Sequence, residues 1–354
     1  MRVVHLVNHC DRGGNVHVAV DLACLQARNG HDVIYASGGG RFELLLAKNG
    51  VRHEHLSQNL RNPVRACSSL AQVFRLCRWF GPEILHAHMM SGAVHGYIAS
   101  RVLNIPLVTT VHNSFDRHSF IMRLGDHVVA VSKAERDLLL RRGYRGDRLH
   151  VVANGTVGTP RDSVAAYDPF NPQRPCITTL CGLEQRKGVH DIIEAFRIVA
   201  LQFPNWSFYI AGEGPERTVL EEQVRSSGLT GRVFFLGFTE NAAAILENAD
   251  VFVLASHSEP FGLSIVEARR AGCAVIGTRV GGITEQLEFG SAGRLVEPGK
   301  PLELAAELTL LMADPNALAQ ARKRARENLD YFDVRRVYED YALVYAHALC
   351  RSHI

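Results

Sequence analysis

The chain has 354 residues, 47% hydrophobic and 21% charged, the balance of a soluble globular protein and too long for one ordinary core. No run of 18 or more apolar residues occurs, which argues against a transmembrane helix. The eight cysteines are scattered without CxxC pairs or a histidine at zinc-ligand spacing, as expected of buried thiols in a reducing, cytoplasmic compartment. The net charge of +3 conceals an asymmetry, because residues 1–160 hold 19 Lys+Arg against 11 Asp+Glu and the remainder 20 against 25. No recognised nucleic-acid-binding motif accompanies the basic half, so nucleic acid is not an expected partner.

The opening MRVVHLVNHC reads as a first strand and not a signal peptide, since His5 and Asn8 interrupt its apolar run. Further short β-branched runs follow at 32–37, 83–87, 106–111, 127–131 and 149–153, separated by helical stretches such as 15–29, where Val16, Val20, Ala23 and Ala27 keep helical spacing. The second half repeats the pattern with runs at 176–181, 206–211, 232–237, 250–255 and 273–277. Strands alternating with helices predict parallel sheets covered on both faces. Residues 158–175 carry four prolines and little periodicity and are the expected linker. From about 315 to 350 the pattern is helical, with Val334, Val337, Tyr338, Tyr341 and Tyr345 on one face. This segment either completes the second domain or crosses back to brace the first.

The predicted fold is therefore α/β, two Rossmann-like doubly wound domains at 1–160 and 161–330 with a closing helix at 331–354. In such sheets ligands bind beyond the carboxyl ends of the strands, so chemistry is sought in the loops after them. Gly13-Gly14 lies between the first strand and its helix, where backbone can approach a ligand or simply turn. CGLEQRKG at 181–188 puts Arg186 and Lys187 at a strand-to-helix junction, cations suited to a diphosphate or else solvated loop charges. AGEGPER at 211–217, with Gly212 and Glu213, makes a tight turn that either shapes a nucleotide pocket or only turns the chain.

The most informative stretch runs from 256 to 287, where a buried strand leads into Glu259-Pro260-Phe261-Gly262 and then a helix beginning near Leu263. Glu267 lies one turn into that helix, between Val266 and Ala268, where a carboxylate needs a partner. A ribose diol is one such partner; an ion pair with Arg269 or Arg270 is the alternative. His112 follows an apolar strand directly and projects at its carboxyl end as a ligand contact, and His86 and His88 lie at the end of strand 83–87, as ligand contacts or core residues. No Asp-x-Asp occurs and no His, Cys or carboxylate spacing suggests a metal site, so no metal or other cofactor is expected.

These residues resemble the family 4 retaining glycosyltransferases over nearly the whole chain. Glu259-Pro-Phe-Gly…Glu267 is similar to the family's E-x7-E motif, and 268–285 continues the match as AxxAGxxVIGTxVGGIxE. GHDV at 30–33, HAH at 86–88, TVHN at 110–113, AVSKAERDLL at 130–139, VVANG at 151–155 and GEGPE at 212–216 support it. The resemblance implies a GT-B fold of two facing Rossmann-like domains, with acceptor on the N-terminal side and nucleotide-sugar donor on the C-terminal side. By the same resemblance Glu267 holds the ribose, Glu259 with the amides of Phe261 and Gly262 grips the transferred sugar, Lys187 neutralises the diphosphate and His112 contacts the donor sugar.

Two departures stand out. Gly182 occupies the position of an arginine that usually accompanies the lysine, so either Arg186 substitutes from the same loop or diphosphate affinity is reduced, and Asn154-Gly155-Thr156-Val157 replaces the commoner Asn-Gly-Val-Asp. The implied acceptor is a glycan or lipid-linked molecule of polysaccharide or lipopolysaccharide assembly. Arg61, Arg65, Arg75 and Arg78 with Trp79 and Phe80 would suit peripheral contact with an anionic membrane, at the inner face of the cytoplasmic membrane, or form an ordinary solvated helix face. A nucleotide-sugar epimerase, or a nucleotide-sugar-binding protein without turnover, would share the same binding features.

Overall fold

The computed structural model describes residues 1–58, 60, 62–164 and 170–350. It divides into two compact units, Met1–Val164 with Tyr331–Ile354, and Ala165–Asp330. The boundary falls within the proline-rich stretch, of which 165–169 lie outside the described residues.

The first unit holds strands β1 (Arg2–Leu6), β2 (Asp32–Ser37), β3 (Arg52–His55), β4 (Ile84–Ala87), β5 (Leu107–Val111), β6 (His127–Ala130) and β7 (Leu149–Val151). They form one sheet in the order β3-β2-β1-β4-β5-β6-β7, with every pairing parallel. Helices bury it on both faces, as the continuous apolar character of the central strands requires. One face packs Val4, Leu6, Leu85 and Leu107 against Val73, Leu76 and Ala99. The other packs Val3, Ile84, Val108 and Val129 against Val337, Tyr341, Val344 and Tyr345 of the helix Val334–Cys350. The closing helix thus braces the first unit, while the preceding helix Pro315–Ala325 belongs to the second, where Arg322 Nε donates to Gly272 O at 2.9 Å.

The second unit holds β8 (Cys176–Leu180), β9 (Ser207–Ala211), β10 (Val233–Gly237), β11 (Val251–Leu254), β12 (Ala274–Thr278) and β13 (Arg294–Val296) in the order β10-β9-β8-β11-β12-β13, again all parallel. In each sheet the strand order reverses once, at β1/β4 and at β8/β11, and such a switch opens a crevice at the carboxyl ends of the strands. Two strands, β3 and β13, have no counterpart among the elements expected from sequence. Both lie at sheet edges, and β3 (RHEH) has no fully buried residue, so neither carries the apolar run that marks a central strand.

Candidate functional site

The second unit gathers most of the expected site at its β8/β11 switch. Lys187 ends the 3-10 turn Gln185–Lys187 after β8, and Glu259 lies in the loop after β11. Because these strands are neighbours, the two side chains meet: Lys187 Nζ forms an ion pair with Glu259 Oε2, and only 14% and 9% of the side chains remain exposed. Arg186 Nη1 stands 3.9 Å from the same carboxylate oxygen and donates to Ser258 O at 3.3 Å, while its Nε is 2.7 Å from Glu184 Oε2. His257 N donates to Arg186 O at 2.7 Å, joining the two loops through the main chain.

The Glu259 loop is held from behind by the turn after β12. Gly282 N donates to Glu259 O at 3.1 Å, and the Gln286 carboxamide donates to Phe261 O. Gly281 has φ 45°, and a Cβ there would stand 2.0 Å from Glu259 O, so only glycine permits this approach. Gly262, with φ 92°, then turns the chain into the helix Leu263–Ala271. Glu267 is partly buried on that helix, between fully buried Val266 and Ala268.

Arg269 is fully buried and has a structural role. Its guanidinium donates to Ala325 O at 2.9 Å, Glu327 O at 2.6 Å, Gln286 O, and the Glu288 carboxylate at 2.8 Å. It thereby pins the Glu267 helix to two neighbouring segments. The sequence offers this arginine only as an ion-pair partner for Glu267 and does not mark out Gln286; the VGGI glycines are the visible signal for the buttress.

Gly212 and Glu213 support the turn at 181–183 mainly through their main chain. Leu183 N donates to Glu213 O at 2.9 Å, whereas the Glu213 side chain pairs with Arg217 Nη1 at 2.5 Å. At Gly212 (φ 142°) a Cβ would lie 1.8 Å from Cys181 O. Gly182 is different, since a Cβ there meets only Glu184 Oε1 at 3.7 Å and Glu213 O at 3.9 Å. The absence of the arginine at this position is therefore not imposed by space.

In the first unit Gly13 (φ 107°) precedes the helix Gly14–Arg28 after β1. His112 follows β5, partly exposed, with Nε2 3.4 Å from His88 Nδ1. Burial pushes the His112 imidazole down to about 3, so it is neutral at ordinary pH. His86 and His88 are buried, and their surroundings hold both well below the usual histidine range, first through burial and then through neighbouring imidazoles.

Residues 166–328 match the family described as Glycosyl transferases group 1, and residues 12–156 match Glycosyltransferase Family 4. The chain belongs to the family 4 type glycosyltransferases. It is 25% identical to N-acetyl-alpha-D-glucosaminyl L-malate synthase of Bacillus anthracis, over 94% of this chain and 93% of that protein. It is 29% identical to a glycogen synthase of Mycobacterium tuberculosis, over 71% of this chain and 65% of the other. Among solved structures, Anabaena Alr3699/HepE in complex with UDP and glucose superposes with a TM-score of 0.82 at 23% identity, covering 98% of this chain and all of that one. The fold of this glycosyltransferase is accordingly GT-B, and the assignment places transfer above the epimerase and non-catalytic readings.

Among the described residues of this glycosyltransferase, three clusters have ligating atoms within 4.8 Å of one another: His5, His86 and His88; Cys10, Glu43 and His53; and His190, Asp191 and His257. Sequence spacing hid them because each draws on separate loops or strands. In the third, His257 Nε2 is already 2.6 Å from Asp191 Oδ2. None includes Lys187, Glu259 or Glu267.

Proposed function

We propose that this glycosyltransferase is a retaining, metal-independent enzyme that moves a hexose-type sugar from a nucleotide diphosphate to a glycan or lipid-linked acceptor in cell-surface polysaccharide or lipopolysaccharide assembly. The observation that carries the reading is the Lys187–Glu259 pair with Arg186 beside it at the β8/β11 switch. An ammonium has three donors and a carboxylate about four acceptor sites. Lys187 can keep Glu259 and still donate to a diphosphate oxygen, while Glu259 accepts from sugar hydroxyls. Glu267 on the adjoining helix takes the ribose, and the N-terminal amides of that helix favour negative charge.

The chemistry asks for stabilisation of the departing diphosphate, supplied by fixed charges and dipoles. The diphosphate then helps to deprotonate the acceptor on the same face that it leaves, which preserves the anomeric configuration. The UDP and glucose of the Anabaena relative make UDP-glucose the first donor to try, and the resemblance of the fold to WaaG, "a glycosyltransferase involved in lipopolysaccharide biosynthesis", supports a surface-glycan acceptor.

The experiment is a panel of UDP-, GDP- and ADP-hexoses, read by product NMR with and without EDTA. Transfer with retained configuration, insensitive to EDTA and at least tenfold weaker in Glu267→Gln, supports the proposal; inversion, epimerised donor or metal dependence rejects it.

Peripheral membrane contact is part of the proposal, with a cytoplasmic location at the inner membrane face. No helix among the described residues is long and apolar enough to cross a membrane. The helix Pro63–Phe80 exposes Arg65, Arg75, Arg78 and Trp79; Arg61 lies outside the described residues. Co-sedimentation with anionic vesicles and not with neutral ones is the expected result.

A further inference from the structure

The first unit contains a chain of buried hydrogen bonds that ends on His112. Sheet register sets His5 of β1 beside His86 of β4, and neither imidazole has any exposed surface. His5 Nε2 is 2.7 Å from Gln26 Oε1, and His5 Nδ1 is 3.0 Å from His88 Nε2. His88 Nδ1 in turn is 3.4 Å from His112 Nε2. In the other direction Gln26 Nε2 donates to Tyr345 Oη at 3.2 Å, Tyr345 Oη is 2.7 Å from His86 Nδ1, His86 Nε2 is 2.8 Å from Thr110 Oγ1, and that hydroxyl is 3.0 Å from Tyr341 Oη.

A neutral imidazole has one N–H and one bare nitrogen. Burial pushes His5 down to about 4 and His112 to about 3, and holds His86 and His88 low as well, so all four are neutral at pH 7. Neutral rings in series can only be ordered head to tail. The Gln26 carbonyl oxygen is an acceptor, which puts the His5 proton on Nε2 and leaves Nδ1 bare. His88 must then donate from Nε2 and accept at Nδ1, and His112 must carry its proton on Nε2.

The other arm has the same polarity. Tyr345 accepts from the Gln26 amide, donates its own proton to His86 Nδ1, and leaves His86 to donate from Nε2 to Thr110. Reversing one ring would require reversing every group. Although His5, His86 and His88 are close enough to share a metal, every one of their ring nitrogens has a partner, and the Gln26 amide, with its oxygen towards His5 and its nitrogen towards Tyr345, sets the polarity.

We propose that Gln26 and Tyr345 are positioning residues that act through His5 and His88 to lock His112 as the Nε2–H tautomer, presenting Nδ1 as a hydrogen-bond acceptor. Such an atom selects a hydroxyl of the sugar and disfavours a carbonyl or carboxylate oxygen at the same place. This last step rests on the proposed function; the tautomer does not.

Two-bond 1H–15N correlation on full-length protein labelled with 15N-histidine reads which ring nitrogen carries each proton, with His112 assigned by the loss of its signals in His112→Gln. The expected result is a single Nε2–H form for His5, His88 and His112, with the Nδ1–H form appearing at His112 in Gln26→Met and Tyr345→Phe. A wild-type His112 protonated on Nδ1 would overturn the proposal, as would a tautomer indifferent to both substitutions.

With UDP-glucose, or whichever hexose donor is active, Gln26→Met should lower kcat/KM by about two- to tenfold, the loss of one hydrogen bond, while the affinity for the nucleotide diphosphate alone stays unchanged. The predicted tautomers without any transferase activity would leave the tautomer assignment standing and defeat the functional reading instead.

Discussion

Acidification should unfold the first unit well before the second. His5 and His112 normally titrate at 6.5 but are pushed down to about 4 and about 3 by burial. Below pH 6.5 the unfolded chain therefore takes up protons that the folded chain refuses, so stability is complete above 6.5 and falls as pH drops towards the folded values. Each tenfold loss of proton affinity on folding is worth about 1.36 kcal/mol, so full titration of His5 alone removes about 3 kcal/mol. By pH 5 the two groups each contribute about 2 kcal/mol, or about 4 kcal/mol together, against a typical total of about 5–15 kcal/mol.

His17, His86 and His88, all held low chiefly by burial, add in the same direction. Urea unfolding of Trp79→Phe protein at pH 7, 6 and 5 tests this, with circular dichroism following both units and the fluorescence of Trp206, buried in the second unit, following that unit alone. The transition of the first unit should move steadily to lower urea while that of Trp206 moves much less. A first-unit midpoint that is constant from pH 7 to pH 5 would refute the reasoning.

Gly182→Arg meets no clash at its Cβ and adds a cation in the loop that carries Lys187, so calorimetry should show tighter binding of a nucleoside diphosphate by several-fold; an unchanged Kd would mean that position 182 does not reach the phosphates. Arg186→Ala should weaken the same binding if Arg186 compensates for Gly182, and an unaltered Kd would remove that idea. Gly212→Ala forces a Cβ against Cys181 O and should cost the second unit about 3 kcal/mol or more, seen as a lowered Trp206 transition. Arg269→Lys cannot serve four acceptors on two segments and should lose about 3–5 kcal/mol, with no shift in the first unit's transition.

The eleven strands with apolar character are legible as elements because burial on both faces demands continuous β-branched runs, and their carboxyl ends point to Gly13, His112, Lys187 and Glu259 without any coordinates. Strands β3 and β13 are not legible, since RHEH has no apolar residue and RLV is only three residues long. Glu267 sits between fully buried neighbours in sequence and is itself partly buried.

The class of fold, the family and the chemical types at the site follow from local pattern, because strand periodicity and the E-x7-E spacing are local properties. It takes the packed chain to show that Lys187 and Glu259 are partners 72 positions apart, that Arg269 anchors the helix carrying Glu267, and that the closing helix completes a hydrogen-bond chain to His112. Such pairings depend on which strands lie side by side and on which face a helix is packed, and no local pattern carries that information.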